Sequence, residues 1–139
     1  MEYQKAWKNG KVPPPPVTRL IGSVLSNFYK GYAEVDLEVS HDHHNPFGMV
    51  QGGLLCTLAD VAMGVAAATT LEPGEGFTTL NLNSFYYKSI SEGHIHTKAT
   101  VIHRGNSTMQ IECDLYSTEE RIARINSNCI LRKGFNVQY

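Results

Sequence analysis

The sequence is poor in charge and in cysteine. Lysine and arginine total 12, aspartate and glutamate total 13, and the formal net charge of the 139 residues is −1. This balance argues against a nucleic-acid-binding protein, because such proteins rely on a strongly basic surface. The three cysteines are too few for a disulfide framework, so we expect a protein of a reducing compartment.

Long apolar segments are also scarce. The N-terminal residues lack the apolar core of a signal peptide. Residues 54–71 reach the minimum length of a membrane span, but they contain Asp60, and an aspartate near the bilayer centre costs at least about 2.5 kcal/mol. A buried helix of a soluble, cytoplasmic protein is the better interpretation. We therefore expect neither a membrane nor a nucleic acid as partner.

The apolar content is nevertheless sufficient for a packed core. Apolar residues make up 42% of the chain, and its length favours one domain. Four of the six prolines form a run that ends at Pro16. Such a run is typical of an extended segment rather than a helix. We predict an N-terminal extended arm at residues 1–16 and a single domain at residues 17–139.

Most of the chain has the pattern of β-strands. Apolar and acidic residues alternate from Ala33 to Val39, which predicts a half-buried strand, and residues 19–29 precede it as a further apolar run. Four later runs have connections of about three residues, which favour antiparallel hairpins. These runs are residues 78–88, 94–103, 108–117 and 121–131. A helix of up to 21 residues, Gln51 to Leu71, lies between the two groups.

The element order is therefore β-β-α-β-β-β-β. A helix so long and so apolar has to be covered on several sides, and one curling antiparallel sheet does this most economically. We predict an α+β protein of the hotdog fold, in which a curved antiparallel sheet wraps around one long central helix.

The predicted helix has two different faces. At 100° per residue, a bulky stripe is expected to face the sheet. It consists of Leu54, Leu58, Val61 and Val65, flanked by Leu55 and Ala62. The opposite face carries Asp60 among small residues, which are Cys56, Gly64 and Ala67, with Met63 beside them. Asp60 is either a structural acid that pairs with a distant basic residue or a functional carboxylate that a ligand or second helix can approach.

Glycines mark the start of the same helix. Gly52 and Gly53 follow the loop that contains Asn45 and Gly48, and unpaired amide groups at a helix N-terminus can stabilise a developing oxyanion. Gly52 and Asp60 are eight residues apart, which is about 12 Å along one helix. They cannot both contact one reacting carbonyl, so if both are catalytic, each site must combine two chains.

The segment from Asn45 to Asp60, NPFGMVQGGLLCTLAD, resembles the signature of hotdog-fold acyl-CoA thioesterases of the phenylacetate-pathway type. The resemblance implies that the Gly52 amide polarises the thioester carbonyl and that Asn45 helps to hold the carbonyl or the water. It implies that Asp60 of the partner subunit acts as general base or nucleophile, assisted by a hydroxyl for which Thr79 is the best match. Gln51 stands where the family usually has histidine.

The resemblance also implies a substrate and an assembly. The substrate is an acyl-CoA or aryl-acetyl-CoA thioester, and no cofactor is needed beyond the coenzyme A in it. The assembly is a homo-oligomer, a tetramer built from dimers. The residues expected to bind substrate are Gln51, Gly48 and Gly53 near the helix start, Tyr86 in the acyl pocket, and Lys88 and Arg104 at the CoA phosphates.

Other interpretations remain open. A non-catalytic hotdog module that binds acyl-CoA has the same fold, whereas a hotdog dehydratase would need a histidine–acid pair. Two H-x-H pairs, His41/His43 and His94/His96, could bind a metal on a strand. No acidic or thiol residue lies at a recognisable ligand spacing from either pair, so we expect no metal. Cys56 as a nucleophile lacks a histidine within helical reach.

Overall fold

The computed structural model describes residues 1–135, and within them three α-helices and six β-strands are formed. They are α1 (Glu2–Lys8), α2 (Pro16–Ile21), β1 (Val24–Tyr29), β2 (Tyr32–Glu38), α3 (Gly52–Ala68), β3 (Glu75–Tyr86), β4 (His94–Arg104), β5 (Thr108–Ser117) and β6 (Glu120–Lys133), with a 3₁₀ turn at His41–His43. The last four residues of the predicted domain, 136–139, lie outside the described residues. No helix within residues 1–135 is long and apolar enough to cross a membrane.

The six strands form one antiparallel sheet in the order β1-β2-β4-β5-β6-β3. Helix α3 contacts all six strands, so the sheet curves around it. The alternation predicted for β2 is present, because Ala33, Val35 and Leu37 are buried while the residues between them face outward. This arrangement of a curved sheet around one long helix confirms the predicted hotdog architecture.

The N-terminal prediction is wrong for residues 2–8, which form α1 instead of an extended arm. Trp7 and Gln4 are buried, so α1 packs against the same core as the rest of the chain. The proline run then leads into α2, where Pro16 occupies the first helical position that its fixed φ suits. Gly22 ends α2 with φ 80°, a left-handed conformation that favours glycine.

Helix α3 differs from its prediction in length and in orientation. It ends at Ala68, because Thr69 and Thr70 turn back and bond the carbonyl groups of Ala66 and Ala67. Eight residues of α3 are buried, and they are Leu55, Leu58, Ala59, Ala62, Met63, Val65, Ala66 and Ala67. The predicted stripe is therefore wrong in part, since Leu54 and Val61 are only partly buried.

The buried face of α3 is broader than the predicted stripe. Leu58 and Val65 are buried as expected, and Ala59, Ala62 and Ala66 are fully buried beside them. Met63 and Ala67, which were predicted beside Asp60, are buried as well. Asp60 remains exposed on the surface of the chain.

Strand β3 has a free edge. It pairs with β6 on one side and has no partner strand within residues 1–135 on the other. The strand is 12 residues long and exposes several apolar side chains. They are Leu80, Leu82, Phe85 and Tyr86.

Candidate active site

The loop between the 3₁₀ turn and α3 is organised by Asn45. Its side-chain oxygen accepts hydrogen bonds from the backbone amides of Phe47, at 2.9 Å, and Met49, at 3.2 Å. Gly48 completes the turn with φ 75°, which a residue with a side chain rarely adopts. Because the oxygen of Asn45 holds the loop, only its NH₂ group is left to contact a substrate.

The loop delivers two free amide groups at the start of α3. Gln51 is the exposed residue before the helix, and its own amide donates to the carbonyl of His43. The amides of Gly52 and Gly53 donate to no acceptor in the described part of the chain. Both point from the positive end of a helix of 17 residues, which suits them to bind a carbonyl oxygen or an oxyanion.

Asp60 and Thr79 come together, as the family resemblance implied. The hydroxyl of Thr79 on β3 donates to Asp60 Oδ1 over 3.5 Å. Desolvation of the carboxylate raises the pKa of Asp60, and the hydrogen bond from Thr79 lowers it by a smaller amount, so the net shift is upward. A carboxylate of raised pKa on an accessible surface is a suitable general base or nucleophile.

A second contact between α3 and β3 surrounds Gly52. The hydroxyl of Tyr86 donates to the Gly52 carbonyl over 2.9 Å. The sulfur of Cys56 lies 3.0 Å from the hydroxyl oxygens of both Ser84 and Tyr86. Burial raises the pKa of Tyr86, and its hydrogen bond with Cys56 raises it further, so the hydroxyl stays protonated at neutral pH.

Sequence reasoning gave Cys56 no partner and did not predict its contact with Ser84. Ser84 and Tyr86 are two residues apart on β3, so their side chains lie on the same face of the strand. This spacing is the sequence signal from which a shared contact could have been predicted. Cys56 and Asp60, one helical turn apart, each contact that strand. The face of α3 that was predicted to be free for a ligand is therefore partly covered by the chain's own β3.

The two predicted phosphate contacts are occupied by carboxylates. Arg104 donates to both oxygens of Glu75, at 2.8 and 3.1 Å, and also to the carbonyl of Gly105. Lys88 pairs with Glu120 at 2.6 Å, but both side chains are more than half exposed. An exposed pair can open at little cost, so Lys88 remains available to an anion, whereas Arg104 is held within the fold.

The comparisons with known proteins agree with this anatomy. The family model for the thioesterase superfamily matches residues 47–123, a range that starts in the Asn45 loop and includes α3 and β3. The 1,4-dihydroxy-2-naphthoyl-CoA hydrolase of Listeria monocytogenes serotype 1/2a (strain 10403S) is 34% identical over 111 residues, which cover 80% of this chain and 89% of the relative.

Two more distant relatives show the same likeness. The proofreading thioesterase EntH of Klebsiella pneumoniae subsp. pneumoniae is 24% identical over 101 residues, covering 73% of this chain and 74% of the relative. A phenylacetic acid degradation-related protein of Ralstonia eutropha JMP134 has a crystal structure that superposes with a TM-score of 0.84 at 27% identity, over 92% of this chain and 98% of the other. The predicted family is thereby confirmed, and the chain belongs to the thioesterase superfamily.

Proposed function

We propose that this protein hydrolyses an acyl-CoA thioester to a carboxylate and free coenzyme A. The observation that carries the proposal is the Asp60–Thr79 pair on the exposed side of α3, together with the free amides of Gly52 and Gly53 at the start of the same helix. The Asp60 carboxylate can activate water or attack the thioester, and the two amides can hold the oxygen on which negative charge develops.

The site requires two copies of the chain. Asp60 lies about 12 Å along α3 from Gly52, too far for both to act on one carbonyl. Two copies could associate through the free edge of β3. Pairing of the two β3 strands would continue the sheet from one chain into the other and cover apolar residues that β3 exposes. Two-fold symmetry would then set the α3 helices antiparallel, with Gly52 of one chain near Asp60 of its partner.

In the proposed reaction the thioester oxygen accepts hydrogen bonds from the Gly52 and Gly53 amides of one chain. Asp60 of the partner removes a proton from water, and the hydroxide oxygen bonds to the carbonyl carbon. The tetrahedral intermediate then expels the CoA thiolate by breaking the C–S bond, and the thiolate takes up a proton. The alternative route, in which Asp60 attacks directly, forms a mixed anhydride that water hydrolyses to the same products.

For the acyl group we propose an aromatic ring system. The ring of Tyr86 lies at the start of α3, where its Cζ is 3.3 Å from the position that a Cβ on Gly52 would take. It therefore forms one wall beside the amide groups, and an aromatic wall suits a flat ring. The Listeria relative carries the name of a naphthoyl-CoA hydrolase. A panel of aroyl-, arylacetyl- and straight-chain acyl-CoA esters checks this preference by their kcat/KM values.

The decisive experiment replaces Asp60 by asparagine and measures thiol release over this panel. We expect Asp60→Asn to lose at least about 100-fold in kcat, the scale on which a general base contributes. Glu119→Gln removes another exposed acid, in the turn between β5 and β6, and it is expected to hydrolyse like the parent.

Two results would contradict the proposal. Undiminished hydrolysis by Asp60→Asn would remove Asp60 from the mechanism. Tight binding of acyl-CoA by the parent without hydrolysis of any ester would identify a non-catalytic binding module.

The upward pKa shift of Asp60 also predicts the thermal stability of the variant. Because the pKa is higher in the folded state, ionising this carboxyl at neutral pH disfavours folding. Asp60→Asn is therefore expected to unfold at no lower temperature than the parent at neutral pH.

A further inference from the structure

Two histidines and an aspartate lie together on the outer face of the sheet. Strands β2 and β4 are adjacent and antiparallel, with Asp36 opposite His96 and Glu38 opposite His94. The residues between them, among them Val35, Leu37 and Ile95, point inward and are fully buried. The outward residues are therefore on the opposite face of the sheet from α3 and from the proposed catalytic groups.

Both imidazoles converge on one carboxylate. Oδ1 of Asp36 is 2.7 Å from Nε2 of His94 and 2.6 Å from Nδ1 of His96. One ligand atom from each of the three residues lies within 4.8 Å of the other two. Two imidazole nitrogens and a carboxylate oxygen at this spacing form three of the four corners that a zinc site uses.

The far side of each ring faces a second carboxylate. Nδ1 of His94 is 2.6 Å from Oε1 of Glu38, and Nε2 of His96 is 3.8 Å from Oε2 of Glu34. A carboxylate behind a ligating histidine fixes the tautomer of the ring and makes the other nitrogen a better donor. The Glu38 contact thus prepares Nε2 of His94 for a metal.

The cluster is negatively charged and accessible. Three carboxylates surround the two rings, and Lys98, the next outward residue on β4, places its ammonium over the ring of Tyr116 at 5.5 Å from the centroid. The side chain of His94 is half exposed, and that of His96 is about a third exposed. Both histidines line an open depression of about 510 Å³, so a hydrated ion can reach them.

We propose that Asp36, His94 and His96 bind a divalent transition-metal ion of the zinc type, with Nε2 of His94, Nδ1 of His96 and a carboxylate oxygen of Asp36 as ligands. A solvent water completes the coordination from the depression. Spacing along the chain predicted no acidic ligand for this H-x-H pair, because Asp36 reaches it across the sheet from 58 residues away.

A metal ion needs room between the three ligand atoms. Oδ1 of Asp36 contacts both imidazole nitrogens directly, at 2.7 and 2.6 Å. Tetrahedral bonds of about 2.0 Å set ligand atoms about 3.3 Å apart, so metal binding moves this oxygen away from the two nitrogens.

The test uses the full chain without a histidine tag, dialysed against EDTA and then against metal-free buffer. Calorimetric titration with ZnCl₂ is expected to show one site per chain, and the same titration with MgCl₂ none, since imidazole ligands do not suit magnesium. Glu38→Gln is expected to weaken zinc binding by about 10–100-fold, the usual effect of removing a group that orients a ligand. Asp36→Asn and His96→Gln, which each remove a ligand, are expected to weaken it more.

The matched control is His41→Gln. It removes the exposed histidine of the other H-x-H pair, in which His43 uses both ring nitrogens in contacts with Ser40 and Ile21. This variant and Asp60→Asn are expected to bind zinc like the parent. Lack of zinc binding by the parent, or an equal loss in His41→Gln and His96→Gln, would overturn the proposal.

A second measurement covers the case in which a variant fails to fold. Long-range ¹H–¹⁵N spectra of the parent distinguish Nδ1 and Nε2 of every histidine ring. Addition of ZnCl₂ is expected to shift Nε2 of His94 and Nδ1 of His96, and to leave the ring of His41 unchanged. Shifts confined to other histidines would show that zinc binds elsewhere and would refute the assignment.

Discussion

Thr79 opposes the effect of burial on the proton affinity of Asp60. Its hydroxyl is the hydrogen-bond donor to this carboxylate, and no basic residue forms an ion pair with Asp60 within residues 1–135. Desolvation alone would raise the pKa of Asp60 further than it stands. Burial is the larger influence on the ionised fraction of Asp60 at a given pH, and the Thr79 hydroxyl partly offsets it, so Thr79 is best described as a positioning residue.

Replacement of Thr79 by valine is expected to move the pH profile of hydrolysis. Loss of the hydrogen bond raises the pKa of Asp60, and because the ionised form acts as base or nucleophile, the acidic limb of kcat/KM shifts to higher pH. Thr79→Ser keeps the hydroxyl and is expected to retain the profile of the parent. A uniform loss of rate in Thr79→Val at every pH, with an unshifted limb, would contradict this role.

At the scale of the elements, the contact between α3 and β3 leaves less space for a side chain at Gly52 than at Gly53. A Cβ on Gly52 would lie 3.3 Å from Cζ of Tyr86, whereas a Cβ on Gly53 would meet no atom within 4 Å. Both glycines belong to the first turn of α3, where alanine is compatible with the helix. Alanine replacements at the two glycines therefore form a matched pair. Both change the conformational freedom of the chain, but only the one at Gly52 also changes the packing against Tyr86.

We expect Gly53→Ala to increase the free energy of unfolding by about 0.4–1 kcal/mol, since the unfolded chain loses conformational freedom. Gly52→Ala is expected to gain less or to lose stability, because the ring of Tyr86 must move by a few tenths of an ångström. In a Tyr86→Ala background the penalty at Gly52 should disappear, which chemical denaturation measures as non-additivity. Equal effects at both glycines in the parent background would show that Tyr86 does not pack on Gly52.

The elements that could be predicted from the sequence are those in which apolar and polar residues alternate regularly. The alternation in β2 and β5 predicted both strands closely, because one face of each is buried and the other is exposed. Helix α1 was missed because it is only seven residues long and is secured by the burial of Trp7, a tertiary contact. The core face of α3 was predicted in part, because Leu58 and Val65 are buried as expected whereas Leu54 and Val61 are only partly buried.

At the scale of the whole molecule, what one chain brings together differs from what the proposed catalytic site needs. The family motif predicted Asn45, Gly52 and Asp60, and the wider resemblance added Thr79. The fold unites Asp60 with Thr79 but leaves Gly52 at the start of the helix, about two turns away from Asp60. Contacts that depend on strand register, such as Asp36 with His94, were beyond the sequence because a shift of one residue would separate them. In the proposed dimer, the free edge of β3 is the feature that joins the second chain and completes the site.

A site shared between chains predicts complementation between two inactive variants. Gly52→Pro removes the proposed amide donor while occupying the first helical position, which proline favours, after a Gln51 whose φ of −60° and ψ of 130° suit a following proline. Loss of an oxyanion donor is expected to lower kcat by about 10²–10³-fold. Gly52→Ala is the control, because it adds the same contact with Tyr86 but keeps the amide.

Asp60→Asn and Gly52→Pro chains are then co-expressed with different tags, and the mixed dimers are purified. Each mixed dimer contains one site with both replacements and one site with neither, so about half of the parent activity per dimer is expected to return. Two homodimers mixed without subunit exchange should stay inactive. If Gly52 and Asp60 acted within one chain, every chain of the mixed dimer would carry a defect and no activity would return, which makes recovered hydrolysis the direct measure of a site built by two chains.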